Sequence, residues 1–371
     1  MKTKVLHVFE YFSQGGIENF VMNVFRNIDR DKYEFHFAFI NKDKGYFDDE
    51  AISLGGQIHY FDSTEKTFKN YKTSLTRIIK EYGPFDVIHS HMYYFSGYIL
   101  KIAKKCGVPI RIAHSHETSK GRKNTLLRRM YESHMRSLIM KNSNCLLACS
   151  KLAGEFVFHN KKKVTVLYNG IDVNRFAFDL EARNKIRKEL WIKDDVKLLL
   201  NVGRFSDQKN QLFLADVFNE YYKLNNNSKL VLVGYGDLEN VIKEKVREYG
   251  LEDSVIFTGS VFNTEDYYSA SDIYVMPSKY EGLGIVAVEA QVSGLISLAS
   301  LEVPEEVNET GLLSFMSLDK SPMEWASKID ELLKSKVNRS EYVNKVKDTP
   351  FDINKTVALL CEVYDGKHLD E

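Results

Sequence analysis

The chain has 371 residues, 44% of them hydrophobic and 27% charged, with 51 Lys/Arg balancing 51 Asp/Glu. That length exceeds one ordinary core, so two domains are expected, and 12% aromatics with only 6 prolines argue against long disordered segments. No apolar run approaches the roughly 18 residues needed to cross a bilayer, which excludes a helical membrane span.

The opening "MKTKVLHVFEYF" has two lysines and an apolar run too short for a secretion signal, with Glu10 close behind, so it reads as a first β-strand. A helix is predicted over "GGIENFVMNVFRNI", where Phe20, Val24 and Ile28 recur at helical spacing. Then come "FHFAFI", "QIHYF", a helix around "SLTRIIKEYG", and the strands "DVIHSH", "RIAHSH" and "CLLACS", with basic helical segments between and after. The rhythm changes over 164–195. "KVTVLYNGIDVNRFAFD" is turn-rich and "LEARNKIRKEL" is a charged helix. A second series follows: "KLLLNVGRF", "NQLFLADVFNEYY", "KLVLVGYGD", "LENVIKEKVREYG", "SVIFTGS", "TEDYYSASD", "IYVMPS". Strand–helix alternation of this kind gives a parallel sheet covered on both faces, here twice, with a junction near residue 170.

Neutrality hides an asymmetry. Residues 101–163 carry 15 Lys/Arg against 3 Asp/Glu, whereas 266–371 carry 10 against 19. The basic stretch suits an anionic membrane surface, a phosphorylated acceptor or nucleic acid, and equally a solvated helical face. Cys106, Cys145, Cys149 and Cys361 form no CxxC pair and no disulfide framework, as in free thiols of a reducing cytoplasm.

Chemistry concentrates at strand ends. In "YEGLGIVAVEAQVSG" two carboxylates, Glu281 and Glu289, flank the turn Gly282-Leu283-Gly284, between the strand "IYVMPS" and a helix. Such a junction aims backbone N–H groups at an anion. A bare buried carboxylate costs several kcal/mol, so both are expected to face a polar site, where they would accept hydrogen bonds from sugar hydroxyls. The plainer alternative is a capping Glu281 and an exposed Glu289. In "NVGRFSDQKNQ", Arg204 and Lys209 follow a strand, a fork and a point charge suited to a diphosphate. "GYGD" reads chiefly as a strand-ending turn. Gly15-Gly16 allows phosphate or sugar to approach the backbone, but it is not GxGxxG, and "HYFDSTEK" offers only a vague ribose acid, so a nicotinamide enzyme is disfavoured. "HSH" recurs at 89–91 and 114–116, and alternate strand residues share a face. Without a Cys or HExxH companion a metal centre is disfavoured; His89 and His91 fit a structural role as well as a functional one. Asp29-Arg30-Asp31 reads as a helix terminus rather than a metal site.

These motifs, in this order over nearly the whole chain, resemble the retaining nucleotide-sugar glycosyltransferases of family 4. They run from Gly15-Gly16 through "RIAHSHET", "YNGIDVNRF", "GRFSDQKN", "LVGYGD" and "VIFTGSV" to "DIYVMPSKYEGLGIVAVEA". The stretches "QKNQLFL" and "EWASKIDELL" are similar to exopolysaccharide and capsule enzymes. The resemblance implies an α/β GT-B fold, two Rossmann-like domains with parallel sheets facing across a cleft. Residues 1–170 would form an acceptor domain, completed by a helix within 352–371, and 171–351 a donor domain. It implies that Arg204, Lys209 and the backbone of Leu283, Gly284 and Ile285 hold the donor diphosphate. Glu289 would bind the ribose, Glu281 the transferred sugar, and backbone near Val261 the base. His116 and Gly15-Gly16 would lie near sugar and acceptor. No covalent nucleophile, metal or cofactor is implied; the UDP-sugar is a substrate. The expected partners are that donor and a glycan or polyprenyl-diphosphate-linked acceptor. The basic segment 101–163 would rest on anionic lipid at the inner face of the plasma membrane. Nucleic acid is not expected as a partner.

Two departures bear on the donor pocket: Ser293-Gly294-Leu295-Ile296 replaces a Cys-Gly-x-Pro run, and Val303-Pro304-Glu305-Glu306 stands in place of a glycine-rich loop. The competing readings are a GT-B sugar-nucleotide epimerase, which needs further acid/base carboxylates, and a silent partner subunit, which predicts loss of Arg204, Lys209 or Glu281. None of these is lost.

Overall fold

The computed structural model describes residues 2–12, 15–40, 43–61, 67–116, 125–159 and 163–369. The chain divides into two compact units, Met1–Ile171 with Pro350–Glu371, and Asp172–Thr349. The division falls where the sequence changes rhythm.

The first unit carries β1 (Thr3–Phe9), β2 (Tyr33–Phe39), β3 (Gln57–Tyr60), β4 (Val87–Ser90), β5 (Ile110–Ser115), β6 (Cys145–Ala148) and β7 (Thr165–Val166). They form one sheet in the order β3-β2-β1-β4-β5-β6-β7, every pair parallel. The second unit carries β8 (Lys197–Val202), β9 (Ser228–Val233), β10 (Val255–Gly259), β11 (Ile273–Met276), β12 (Ile296–Ser300) and β13 (Leu313–Met316). Its order is β10-β9-β8-β11-β12-β13, again all parallel. Strands such as β4, β6, β11 and β12 are buried at every residue, which is why they read as unbroken apolar runs. The strand series read from the sequence stops at "IYVMPS", whereas the sheet continues through β12 and β13.

In both sheets the chain reverses its direction of growth between the first and fourth strands, β1/β4 and β8/β11. Loops leaving the carboxyl ends of such a pair diverge and open a crevice, the general position for ligands in these folds. All the predicted site loops but that of Val261, which follows β10, leave one of these strands or the next one along. Gly15-Gly16 follows β1, His91 follows β4, His116 follows β5, the Arg204 loop follows β8, and the Glu281 loop follows β11.

The two cores differ in kind. Phe9, Phe12, Phe20, Phe25, Phe35, Phe37 and Phe39 fill the first, and the C-terminal helix Ile353–Tyr364 packs on the helix Gly16–Asn27 to complete it. Gly170 permits that closure: a Cβ there would lie 2.3 Å from Thr356 Oγ1. Leu199, Leu214, Phe218, Leu230, Leu232, Leu298 and Trp325 dominate the second.

Candidate active site

In the second unit the two predicted site loops are stitched together. Gln208 donates from Nε2 to the Tyr280 carbonyl at 3.0 Å and accepts from the Lys279 N–H at 2.8 Å. Asn210 donates to the Pro277 carbonyl at 3.1 Å. Buried Gln211 donates to Asn201 Oδ1 and to the Arg204 carbonyl, so the β8 loop is held through its backbone. The Arg204 side chain is exposed and has no hydrogen bond or ion pair among the described residues, which leaves its guanidinium available to a ligand. "QKNQ" thus supplies three amides that fix the loops around one lysine. The sequence reading gave roles only to Arg204 and Lys209; the signal was a run of amides where a helix should begin.

Lys209 Nζ lies 2.7 Å from Glu281 Oε1, and the Glu281 side chain is only 6% exposed. An uncompensated carboxylate this deep would cost several kcal/mol, and the lysine ammonium supplies the compensation. The pair explains Glu281 in an apolar run, and it corrects the capping alternative. The helix Ile285–Val292 has Gly284 at its N-cap and no side-chain cap bond. Gly284 has φ +88°, a left-handed turn that glycine adopts without strain, and a Cβ there would press to 3.1 Å from Val303 Cγ1. The backbone N–H groups of Ile285 and Val286 therefore open the helix without a side-chain acceptor. Leu283 is buried and anchors the turn.

Glu289 is on the second turn of that helix and partly buried, not the exposed residue of the plainer alternative. Burial pushes its carboxyl up to about 7, against the opposing pull of the Tyr268 hydroxyl and Arg175. Tyr268, fully buried, donates to Glu289 Oε2 at 2.8 Å. Arg175 donates to the Phe262 carbonyl at 2.8 Å and to Glu265 at 2.9 Å, beside Val261. Glu289, Tyr268, Arg175 and the Val261 turn therefore form one neighbourhood. Tyr268 and Arg175 have no signature in sequence, because nothing local marks a tyrosine or arginine that serves a residue 21 or more positions away.

The departures also find their reason here. Arg339 is half-buried and donates to the carbonyls of Tyr268, Ser269, Ser271 and Ser293 and to Ser293 Oγ. Gly294 is left-handed, at φ +62°, and a Cβ would lie 2.5 Å from the Arg339 backbone. Ser293-Gly294 is thus the seat of an arginine clamp. "GYGD" is likewise a packing device: a Cβ on Gly234 would lie 2.2 Å from the Gly203 oxygen.

In the first unit, Gly15 is the N-cap of the helix Gly16–Asn27. Gly16 has an ordinary φ, and a Cβ there would meet nothing within 4 Å, so the fold itself does not demand this glycine. From the same helix Phe20 packs on His91, His114 and His116, which brings Gly16 and His116 to one sheet edge. The rings of His114 and His116 lie tilted against each other with centroids 3.9 Å apart, the shared face expected from strand alternation. His89 and His91 are buried and joined to this group, together with His7, which sequence reading passed over inside β1. Burial holds all five rings well below the ordinary histidine value, His7 and His116 to about 3. The triads His7/His89/His91 and His91/His114/His116 bring ring nitrogens within 4.8 Å of one another. Nitrogens of these rings are already spent on each other, and among the described residues no carboxylate or thiolate joins either triad to balance a dication. Asp29 Oδ1 accepts from the N–H groups of Asp31 and Lys32, the turn predicted for Asp29-Arg30-Asp31.

The basic segment is described outside residues 117–124 and 160–162; Asp62 and the rest of the vague ribose acid stretch, 62–66, also lie outside the described residues. The helix Leu126–Asn142 buries Met135 and Ile139, while Leu126, Leu127, Met130 and Tyr131 are exposed. The apolar stripe of the first two turns therefore points outward. No described helix is long and apolar enough to cross a membrane.

Two Rossmann-like parallel sheets, with a Lys–Glu pair at a glycine-opened helix tip, define an α/β transferase of the GT-B class. Comparison with known proteins gives the family. Residues 182–349 match the model for glycosyl transferases group 1, and residues 14–175 the model for glycosyltransferase family 4. EpsF of Bacillus subtilis (strain 168), described as a glycosyltransferase, is 32% identical over 369 residues, covering 98% of this chain and 96% of EpsF. CapH of Staphylococcus aureus, a capsular polysaccharide biosynthesis glycosyltransferase, is 30% identical over 376 residues, covering 99% of each chain. Among solved structures, Anabaena HepE in complex with UDP and glucose has a TM-score of 0.81 at 16% identity, covering 98% of this chain and 100% of HepE. The chain belongs to the family 4, group 1 glycosyltransferases and is an enzyme of that class.

Proposed function

We propose that the enzyme transfers a sugar from a nucleoside-diphosphate sugar, with UDP as the nucleotide and with retention at the anomeric carbon. The acceptor is a glycan or polyprenyl-diphosphate-linked saccharide in cell-surface polysaccharide synthesis. The observation that carries this is the Lys209–Glu281 pair at 2.7 Å, which joins the Arg204 loop to the loop that opens the helix Ile285–Val292. As the sugar–diphosphate bond breaks, negative charge grows on phosphate and positive charge on the anomeric carbon. Arg204, Lys209 and the N–H groups following Gly284 oppose the first, an electrostatic stabilisation organised before the substrate arrives. Glu281, fixed by Lys209, accepts hydrogen bonds from the transferred sugar. Glu289, with one oxygen held by Tyr268, keeps the other for the ribose hydroxyls, and the Val261 turn meets the base. His116 and the uncrowded Gly15-Gly16 turn serve sugar and acceptor. Donor binding needs no metal and no cofactor, since two cations and a helix tip already face the diphosphate.

The UDP in the HepE structure and the capsular role in CapH's name support this choice of nucleotide and pathway. The test is incubation with a panel of nucleotide sugars, with and without EDTA. Slow release of UDP from one of them, unaffected by the chelator, is expected. Release of another nucleotide, or none after EDTA, overturns the assignment. The exposed Leu126, Leu127, Met130 and Tyr131 beside Arg128 and Arg129 support the further reading of a cytoplasmic enzyme resting on anionic lipid, apolar side chains dipping in and cations on headgroups. Flotation with anionic vesicles checks this: Leu127→Glu should abolish binding, and absence of binding by the unaltered protein removes the claim.

A further inference from the structure

Among the described residues of the second unit, the exposed aromatic side chains are Trp191, Tyr235, Tyr249 and Phe262. Trp191 and Tyr249 precede β8 and β10, so they lie at the amino ends of the strands. Tyr235 and Phe262 follow β9 and β10 and lie at the carboxyl ends, the edge that carries Arg204, Lys209 and Glu281. Tyr235 is 56% exposed and Phe262 81%. Single apolar residues scattered over a surface are ordinary, but these two rings stand on adjoining loops at the edge where such sheets bind ligands.

Backbone contacts hold both loops. Gly234 donates its N–H to the Gly259 carbonyl at 3.0 Å, so the turns leaving β9 and β10 start side by side. Tyr235 lies between two glycines that press on the β8 loop. A Cβ on Gly234 would meet the Gly203 oxygen at 2.2 Å, and one on Gly236 the Phe205 oxygen at 2.3 Å. The Tyr235 carbonyl accepts from the Phe205 N–H at 2.9 Å. Its backbone is thus tied to the residue beside Arg204 while its ring stays exposed. Phe262 is pinned at its carbonyl by Arg175, which also pairs with Glu265.

Strand order decides what these rings can reach. Glu281 follows β11, Arg204 and Lys209 follow β8, Tyr235 follows β9 and Phe262 follows β10, four successive strands of one sheet. At about 4.8 Å per strand the row is roughly 14 Å long. With the transferred sugar at Glu281 and the diphosphate at Arg204 and Lys209, the nucleoside leads on toward β9 and β10. Glu289, assigned to the ribose, already shares a neighbourhood with Arg175 and the Val261 turn. A nucleobase is flat, and flat faces stack on aromatic rings.

We infer that Tyr235 and Phe262 are base-binding residues, whose rings stack on the nucleobase of the donor while the backbone of the Val261 turn meets its edge. This contact rests on the nucleotide-sugar donor proposed above. Stacking supplies affinity without choosing the base, since every base has such a face.

Calorimetric titration of the full-length protein with UDP tests this. Tyr235→Ala and Phe262→Ala should each raise the Kd for UDP about tenfold. Phe262→Leu keeps an apolar side chain but no ring and should bind as weakly as the alanine variant, whereas Phe262→Tyr should recover most of the affinity. Wild-type affinity in either alanine variant or in Phe262→Leu, with the fold intact by circular dichroism, overturns the base contact and leaves the donor reading standing. If the unaltered protein binds GDP, ADP, CDP or dTDP in place of UDP, the same loss measured with that nucleotide supports the stacking and refutes the choice of uridine. If it binds none of the five, the donor reading and the base contact fall together.

Discussion

Both units reverse strand order between their first and fourth strands, yet the first lines that reversal with neutral rings and the second with paired charges. All ten histidines lie outside residues 172–349, and the protein's two tryptophans, Trp191 and Trp325, both lie within them. Lys209 and Glu281 form a largely buried ion pair, whereas the histidine rings bond to one another and stay neutral. The same scaffold therefore accommodates two kinds of buried polar group. What differs is the side chains that desolvation allows: a charge survives burial only with a partner, and an imidazole survives it by staying neutral.

The largest expected effect breaks the two units apart by pH. The five buried histidines have folded values far below their ordinary 6.5, so as pH falls below 6.5 the unfolded chain binds more protons than the folded one. Stability is fully present above 6.5 and declines from there toward about 3, by up to about 1.4 kcal/mol per pH unit for each ring. Trp325 is fully buried in the second unit and reports it alone. In acid titration, circular dichroism should lose the first unit before Trp325 emission shifts; coincident transitions would refute the contrast.

Next come the charges. Lys209→Ala and Glu281→Ala should each lower turnover about 10²-fold or more, measured with the accepted donor. Near-normal transfer in either would remove that residue from the site. A smaller effect concerns Glu289. Its carboxyl is raised from 4.5 to about 7, so the ionised, acceptor-only form gains population as pH rises through 7. Donor KM should fall about tenfold between pH 6 and pH 8, and Glu289→Gln should flatten that trend. The smallest is Gly16→Ala, expected to change stability by less than about 0.5 kcal/mol because its Cβ meets open space. A clear fall in transfer with stability intact would mark Gly16 as a contact for substrate, and unchanged transfer would drop it.

Much of this was legible beforehand, and for one reason. Buried parallel strands announce themselves as apolar runs, and strand-ending glycines mark the loops that carry ligands, so β1, β4, β8 and β11 and their loops could be placed from residues alone. β12 and β13 were not, because "LISLAS" and "LLSFM" are short and lack a helical stretch between them to set the alternation. His7 was missed since a histidine inside a strand looks like any other strand residue until its neighbours are known. The exposure of Leu127 and Tyr131 was not legible, because helical spacing reports a face but not what covers it.

The sequence by itself determined the two strand–helix series, the resemblance to the family, and that Arg204, Lys209, Glu281 and Glu289 lie on the loops and helix that follow β8 and β11, since each of these is a matter of local pattern and order. Only the tertiary structure decided who pairs with whom. Lys209 meets Glu281 across 72 positions, Tyr268 takes one oxygen of Glu289, and Tyr364 joins two histidines from the far end of the chain. Periodicity extends a few residues, whereas the balance of desolvation against pairing is set by groups that meet only after the chain has folded.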